Sequence, residues 1–567
     1  MGVEVNGERS PRLCDDTALR QYLTKRDALI QEERKQRHVS DHHFLQRSPS
    51  ATVVQACNIV SAIRARELTH DLSMSAGALV RDTTSPGAMF NPAKSRVHST
   101  DLWKIVRRMP KGSLLHAHLE ALFDVDHLVT QCLATPGMYI CAEKEIISSV
   151  DFDKEPFSFR YCSKAPERKG SIWTADYESG SLVPVTSAAH AFPHGGQAGF
   201  RSWVKKRCTI GADRSGHVHD GADAVWDRFK QIFPILISMA FYEPIFRRAL
   251  HRLFRELVGD GIQYVELRMG SAIPFQREAQ DTPDEDHGYL LEVMREEILA
   301  FQQTKVGMNF YGARIIYTAP RISSEQELVA RMERCIHAKQ QFPQLICGFD
   351  LVGQEDRRAL VDLVPVLLWF RQRCGEEGVE IPFFFHAGEC LGDGDATDHN
   401  LFDAVLLDSR RIGHGLSLYK HPLLIDIVKE KNILIECCVV SNEVLRLTSS
   451  IQTHPLPALL ARGVSVCLCN DDPAIFGQGM SGLSVEFWQT LQGLENMGLA
   501  GLAAMAQNSI RWSCYEDLSS EEWRSHLQNS ESEGNGLNAM RLRQWTTQFE
   551  AFCQWIVDEF DPNGTFS

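Results

Sequence analysis

Two histidines one residue apart, His116-Ala117-His118, sit near the end of the apolar run SLLHAHLE at 113–120. On an extended strand, positions i and i+2 share a face, so both imidazoles point the same way. His386 and Glu389 end IPFFFHAGE (381–389), His414 lies within RIGHG (411–415), and Asp471 and Asp472 close VSVCLCNDDP (464–473). Three imidazoles (His116, His118, His386) and the Asp471 carboxylate make a donor set suited to one zinc ion, with a position left for water. Zinc lowers the pKa of such a water toward ~7. Glu389 would then donate and accept protons, and His414 would orient or deprotonate the water. Each fragment alone has a plainer reading: a turn for Gly-His-Gly, a turn or helix N-cap for Asp-Asp-Pro. Their shared placement at the ends of successive apolar runs is what points to a metal site.

Those runs number eight: 113–120, 261–269, 312–320, 345–353, 381–389, 411–415, 433–443 and 464–473. Longer stretches with helical periodicity separate them, including Glu325–Gln341 and 356–376. This alternation predicts an α/β fold, a (β/α)8 TIM barrel, whose chemistry gathers at the C-terminal ends of the strands. Residues 1–109 read as a helical extension with helices over 18–37 and 51–68, the barrel as 110–140 plus 223–528, and 141–222 as a small inserted domain. One helix is expected over 223–257. The last segment, 529–567, reads as a polar loop at 529–537 and a helix over 539–560.

Composition narrows the partners. The chain has 567 residues, 44% hydrophobic and 23% charged, with a net charge of −14. An acidic chain is a poor primary partner for nucleic acid or an anionic membrane surface. No apolar stretch reaches the ~20 residues of a spanning helix. The first residues carry charges throughout and no apolar signal segment, and Asn6 stands where a myristoylation signal at Gly2 would need Ser or Thr. The sixteen cysteines are too few for a disulfide scaffold, and several lie inside apolar runs. A cytoplasmic address is expected.

The ordered set MPKGSLLHAH, GFDLVGQED, FFFHAGE, RIGHG, VVSNEVL and CNDDPAIFG resembles the adenosine deaminase family of metal-dependent hydrolase barrels. The helical extension, the insertion after the first strand, and the phrases MPKG and HPLPALLARG are similar to its growth-factor branch (adenosine deaminase 2-like). The resemblance implies zinc ligands at His116, His118, His386 and Asp471. It also implies protonation of purine N1 by Glu389, activation of the attacking water by His414, and contacts to N7 from Asp472 and to N3 from the Gly353 backbone. Adenosine would yield inosine and ammonia. In the other main branch an Asp two residues after the second histidine reaches the ribose; here that residue is Glu120. Trp226, in VWDRF, matches a tryptophan that covers substrate in the growth-factor branch. Secreted members of that branch carry a signal peptide and a disulfide in the insertion; Cys141 and Cys162 stand where it could form, but with no signal segment visible they are expected to be reduced. The same resemblance implies a homodimer formed through the helical extension. Competing readings are an AMP or N6-modified-purine deaminase on the same barrel, and a binding or signalling protein that keeps the fold.

Overall fold

The computed structural model describes residues 16–37, 44, 49–75, 90–164, 170–211, 221–529 and 534–563. Gly2, Asn6 and part of the polar loop expected at 529–537 lie outside the described residues.

Among the described residues, eight parallel strands surround the core: β1 (Gly112–His118), β5 (Ile262–Gly270), β6 (Gly312–Pro320), β7 (Ile346–Val352), β8 (His386–Ala387), β9 (Arg411–His414), β10 (Leu434–Cys437) and β11 (Val466–Leu468). They form two four-stranded sheets, β1-β5-β6-β7 and β11-β10-β9-β8. Two backbone seams join the sheets into a ring. At one, Phe349 N–H donates to Pro382 O (2.9 Å) and Phe384 N–H to Phe349 O (3.1 Å). At the other, His118 N–H donates to Asp471 O (3.1 Å) and Asp471 N–H to His116 O (3.2 Å). The second seam therefore sets three of the expected metal ligands side by side through main-chain bonds alone.

The strands are buried along almost their whole length, as parallel strands covered by helices must be, and β1 is enclosed at every residue. Helices return the chain between strands. Glu325–Gln341, for example, starts at a Ser324–Glu327 capping box, a reciprocal pair of side-chain bonds that satisfies two free donors.

Between β1 and β5, β2 (Met138–Ala142) pairs antiparallel with both β3 (Phe157–Tyr161) and β4 (Val183–Pro184). Trp173, Phe192, Phe200 and Trp203 pack beside this sheet. Cys141 lies opposite Ser158, whereas Cys162 follows the far end of β3, where its N–H bonds Gly137 O. Four residues of strand separate them, roughly 13 Å, beyond the ~7 Å limit of a disulfide. Both thiols are free.

The single helix expected over 223–257 is two, Ala222–Ala240 and Glu243–Gly259. Pro244 is the cause: inside a continuous helix its ring would strike the carbonyl four residues back, whereas in a first turn it is well placed. The gap is stapled by Gln276, whose N–H donates to Phe241 O (3.0 Å) and whose carbonyl accepts from Glu243 N–H (2.8 Å).

The N-terminal helices divide. Ala51–Ser75 buries Val53, Ala56, Ile59, Val60 and Ile63, and Gln55 bonds Asp561 just past the C-terminal helix Leu537–Phe560 (3.1 Å). Asp16–Arg37 is tied to the barrel side at its end, where Arg34 and Arg37 pair with Glu495. It leaves Leu19, Tyr22, Leu23 and Leu29 exposed. Among the described residues no helix is long and apolar enough to cross a membrane.

Candidate active site

At the C-terminal rim, His116, His118, His386 and Asp471 bring one ligand atom each within 4.8 Å of one another. His116 Nε2 stands 3.1 Å from His386 Nε2 and 3.3 Å from Asp471 Oδ1, which lies 3.2 Å from His118 Nε2. Ligands on a tetrahedral zinc with bonds of ~2.0 Å are ~3.3 Å apart, so the spacing fits.

The proton positions fit as well. His116 Nδ1 bonds Glu436 Oε2 (2.9 Å) and His386 Nδ1 bonds Asp350 Oδ2 (2.7 Å). Burial pushes both carboxyls up, but Arg268 and Arg411 beside Glu436, and His386 and Arg268 beside Asp350, hold both well below the usual carboxylate range. Carboxylates accept only, so each ring carries its proton on Nδ1 and turns a bare Nε2 lone pair to the other. Two lone pairs at 3.1 Å repel unless a cation lies between them. Burial lowers the His386 pKa to about 4, which keeps it a neutral ligand.

Gly413 explains half of the Gly-His-Gly motif. A Cβ there would lie 2.8 Å from the His116 ring, so the strand must be bare where that imidazole stands. His414 (φ 62°) and Asp471 (φ 55°) hold left-handed backbone, a conformation costing of order 1–3 kcal/mol for residues with a side chain and concentrated at functional sites.

Around this cluster lies a cavity of about 540 Å³, lined by His118, His386, Glu389, Asp471, Asp472, Gly353, Glu120 and Trp226, with Phe229, Ile273 and Leu445 on its apolar side. His116 and His414 are buried behind it. Burial, then Asp471 and Glu355 nearby, raises Glu389 well above the usual carboxylate range; burial and Asp471 do the same to Asp472. Both are thereby shifted toward the protonated form, the form that can donate. Glu389 Oε1, Asp472 Oδ1 and His414 Nε2 are buried without an intramolecular hydrogen-bond partner. Glu355 holds the Glu389 loop by accepting from Gly388 and Glu389 N–H. Glu120 accepts from Gly270 N–H (3.0 Å), and Trp226 reaches the cavity from the helix Ala222–Ala240.

Of the residues supporting the rim, only Asp350, at the end of the run 345–353, stands out in the sequence. Arg268 bonds Asp350 and Glu436, and Arg411 bonds Glu436 and Glu266, with all five groups fully buried. Their signal was a charge inside an otherwise apolar run, as in ILIECC (433–438).

The profile of the family described as adenosine deaminase matches residues 214–530. Adenosine deaminase 2-A of Danio rerio is 30% identical over 443 residues, 77% of this chain and 82% of its own. Adenosine deaminase 2 of Homo sapiens is 30% identical over 433 residues, 76% of this chain and 79% of its own. A crystal structure of an amidohydrolase from Burkholderia ambifaria with bound Zn superposes with a TM-score of 0.52 at 14% identity, covering 81% of this chain and 96% of that one. That likeness speaks for the fold alone.

Proposed function

The chain belongs to the adenosine deaminase family, in its adenosine deaminase 2-like branch, and on that premise we propose that it hydrolyses adenosine, and 2′-deoxyadenosine, to the inosine product and ammonia. One observation carries the reading. The cavity wall brings together Glu389, Asp472 and Gly353, two carboxyls shifted toward the protonated, donating form and a glycine main chain, and an adenine ring presents three acceptor nitrogens, N1, N7 and N3.

Glu389 gives its proton to N1, drawing electron density from C6 so that a nucleophile can add there. Asp472 donates to N7 and Gly353 to N3, which fixes the ring plane. His414 Nε2, 3.5 Å from Glu389 Oε1, holds the attacking oxygen. His116, His118, His386 and Asp471 would bind one zinc per chain, and that ion would supply an acidified water. Left as a carboxylate, Glu389 takes one proton from the adding water and passes it to the amino group, which departs as ammonia; the second proton of that water, shed as the C6 carbonyl forms, restores the Glu389 acid. Glu120 is placed to take a ribose hydroxyl, and Trp226 closes over the sugar.

Lys230, Arg331 and Arg357 also line the cavity, but each already has a partner: Lys230 pairs with Asp227 (2.9 Å), Arg357 bonds Gln354 (3.2 Å) and Arg331 bonds the Ser271 hydroxyl (3.4 Å). Such a rim suits a neutral nucleoside better than a nucleotide. The test is ultraviolet absorbance with adenosine, 2′-deoxyadenosine, adenine and AMP, beside elemental analysis. Turnover of both nucleosides, with AMP slower by at least about tenfold, is expected. Protein carrying about one zinc per chain and inert toward both nucleosides would overturn the reading.

The proposal extends to assembly. The exposed Leu19, Tyr22, Leu23 and Leu29 on Asp16–Arg37 form a stripe that a second copy would cover in a two-fold dimer. Within the chain we assign 1–109 to the helical extension, 110–137 and 223–528 to the barrel, 138–222 to the insertion and 529–567 to the C-terminal segment; the expected boundary between 140 and 141 moves back because the strand Met138–Ala142 belongs wholly to the inserted sheet. A cytosolic address suits the many buried free thiols. Light scattering should return a dimer at micromolar concentration, and deleting residues 1–100 should abolish it.

A further inference from the structure

His414 rests on a chain of hydrogen bonds that begins at a helix terminus. Leu456 opens the helix Leu456–Ala461, and its N–H, having no helical carbonyl to bond, donates to His454 Nδ1 (3.1 Å). This is the one unambiguous donor in the series, because a backbone N–H cannot accept. A ring nitrogen that accepts carries no proton, so His454 is neutral with its proton on Nε2. Burial, which pushes its pKa down to about 3, agrees. His454 Nε2 meets Asn442 Oδ1 at 3.0 Å, which leaves the Asn442 amide NH2 turned the other way. That NH2 lies 3.2 Å from His414 Nδ1 and can only donate. His414 Nδ1 is therefore the acceptor, and the proton of this histidine is on Nε2. His414, Asn442 and His454 are all buried, so water does not rearrange the series.

We propose that Asn442 and His454 are positioning residues that set the tautomer of His414, making it a hydrogen-bond donor into the cavity and denying it the role of proton acceptor. The inference rests on the reading above, in which His414 acts on the attacking oxygen. His414 Nε2 lies 3.5 Å from Glu389 Oε1 and 3.8 Å from Asp471 Oδ2, so its N–H points to where oxygen gains negative charge during addition to C6. With no lone pair on Nε2 it cannot ligate an ion. That decides between two overlapping donor sets, the one described and a second made of His116, His414, Cys438 and Asp471, in favour of the first.

The test reads the tautomer directly. Full-length protein labelled with 15N in its histidine rings is examined by proton–nitrogen NMR, and the His414 signals are identified by their loss in His414→Gln. Wild type should show Nε2–H. In Asn442→Asp the carboxylate can only accept, so the pattern should invert to Nδ1–H, with kcat down at least about 100-fold and KM within about threefold. Gln at 454 reproduces the polarity, its oxygen accepting from Leu456 and its NH2 donating to Asn442. His454→Gln should thus keep kcat within about threefold while His454→Ala loses about tenfold. Nδ1–H in wild type, an unchanged tautomer in Asn442→Asp, or equal losses in the two His454 variants would each overturn the proposal. An Nε2–H signal in protein inert toward adenosine would support the relay and count against the proposed function alone.

Discussion

Two layers of charged and polar groups share the barrel interior, and they obey opposite rules. In the lower layer Arg268, Arg411, Glu266, Glu436 and Asp350 are fully buried and fully paired. Glu266 even uses its second oxygen to accept from Cys514 N–H. In the upper layer, Glu389, Asp472 and His414 are just as enclosed, yet each leaves an atom without an internal partner. Burying a polar group unpaired costs roughly 1–3 kcal/mol, so the upper layer is a standing cost and the lower layer offsets its own. The contrast separates the paired groups that hold the ring from the three at the rim that we propose meet substrate.

Substitutions should divide along the same line. The largest effect is expected from Glu389→Gln, which keeps the shape but has no proton for N1; kcat should fall by about 10²–10⁴ while zinc content is unchanged. Retention of more than about a tenth of wild-type kcat would remove Glu389 from the proton-donor role. Arg268→Met breaks the lower layer by removing the arginine partner of Asp350 and one of the two arginine partners of Glu436, and should cost roughly 3–5 kcal/mol of stability. Denaturant unfolding measures it, and zinc affinity should drop about 10–100-fold as the carboxylates that orient His116 and His386 lose their anchor. Gly413→Ala drives a methyl against His116 and should cost roughly 1–3 kcal/mol, with zinc titration showing weaker binding than in wild type. The smallest effect has the opposite sign. Asp472→Asn removes a buried carboxyl crowded by Asp471 and should leave metal-free protein equally stable or up to about 1 kcal/mol more stable, at the expense of activity. A clear loss of stability would show that Asp472 belongs with the paired layer.

The upper layer was legible in the sequence and the lower layer was not, for a physical reason. His116, His118, His386, Asp471 and Asp472 end apolar runs, and a polar residue there has a short list of uses. Arg268, Arg411 and Glu436 sit inside such runs, where hydrophobic periodicity absorbs them and only their three-dimensional partners reveal them. The barrel order followed from eight runs separated by helical stretches, although IPFFFHAGE supplies a strand of just His386–Ala387. The break at Pro244 is readable in the sequence, because a proline is well placed in a first helical turn. Asn442 and His454 stand twelve residues apart in the phrases VVSNEVL and HPLPALLARG, but nothing in that spacing announces that they meet behind His414.

The seam that joins His116 and His118 to Asp471 also bears on how the protein is made. These partners are about 350 residues apart in the chain, which at ~5–20 residues per second leaves about 20–70 s of translation between them. Throughout that interval a nascent chain carries two of its histidine ligands without the backbone that later clamps them. The last strand thus does two tasks in one event, shutting the ring and bringing the fourth of the candidate metal ligands to the others. A chain released before residue 471 would have an open sheet edge and no complete metal centre, leaving it both inactive and prone to edge-on association. Quality control and catalytic competence therefore depend on the same pair of backbone hydrogen bonds.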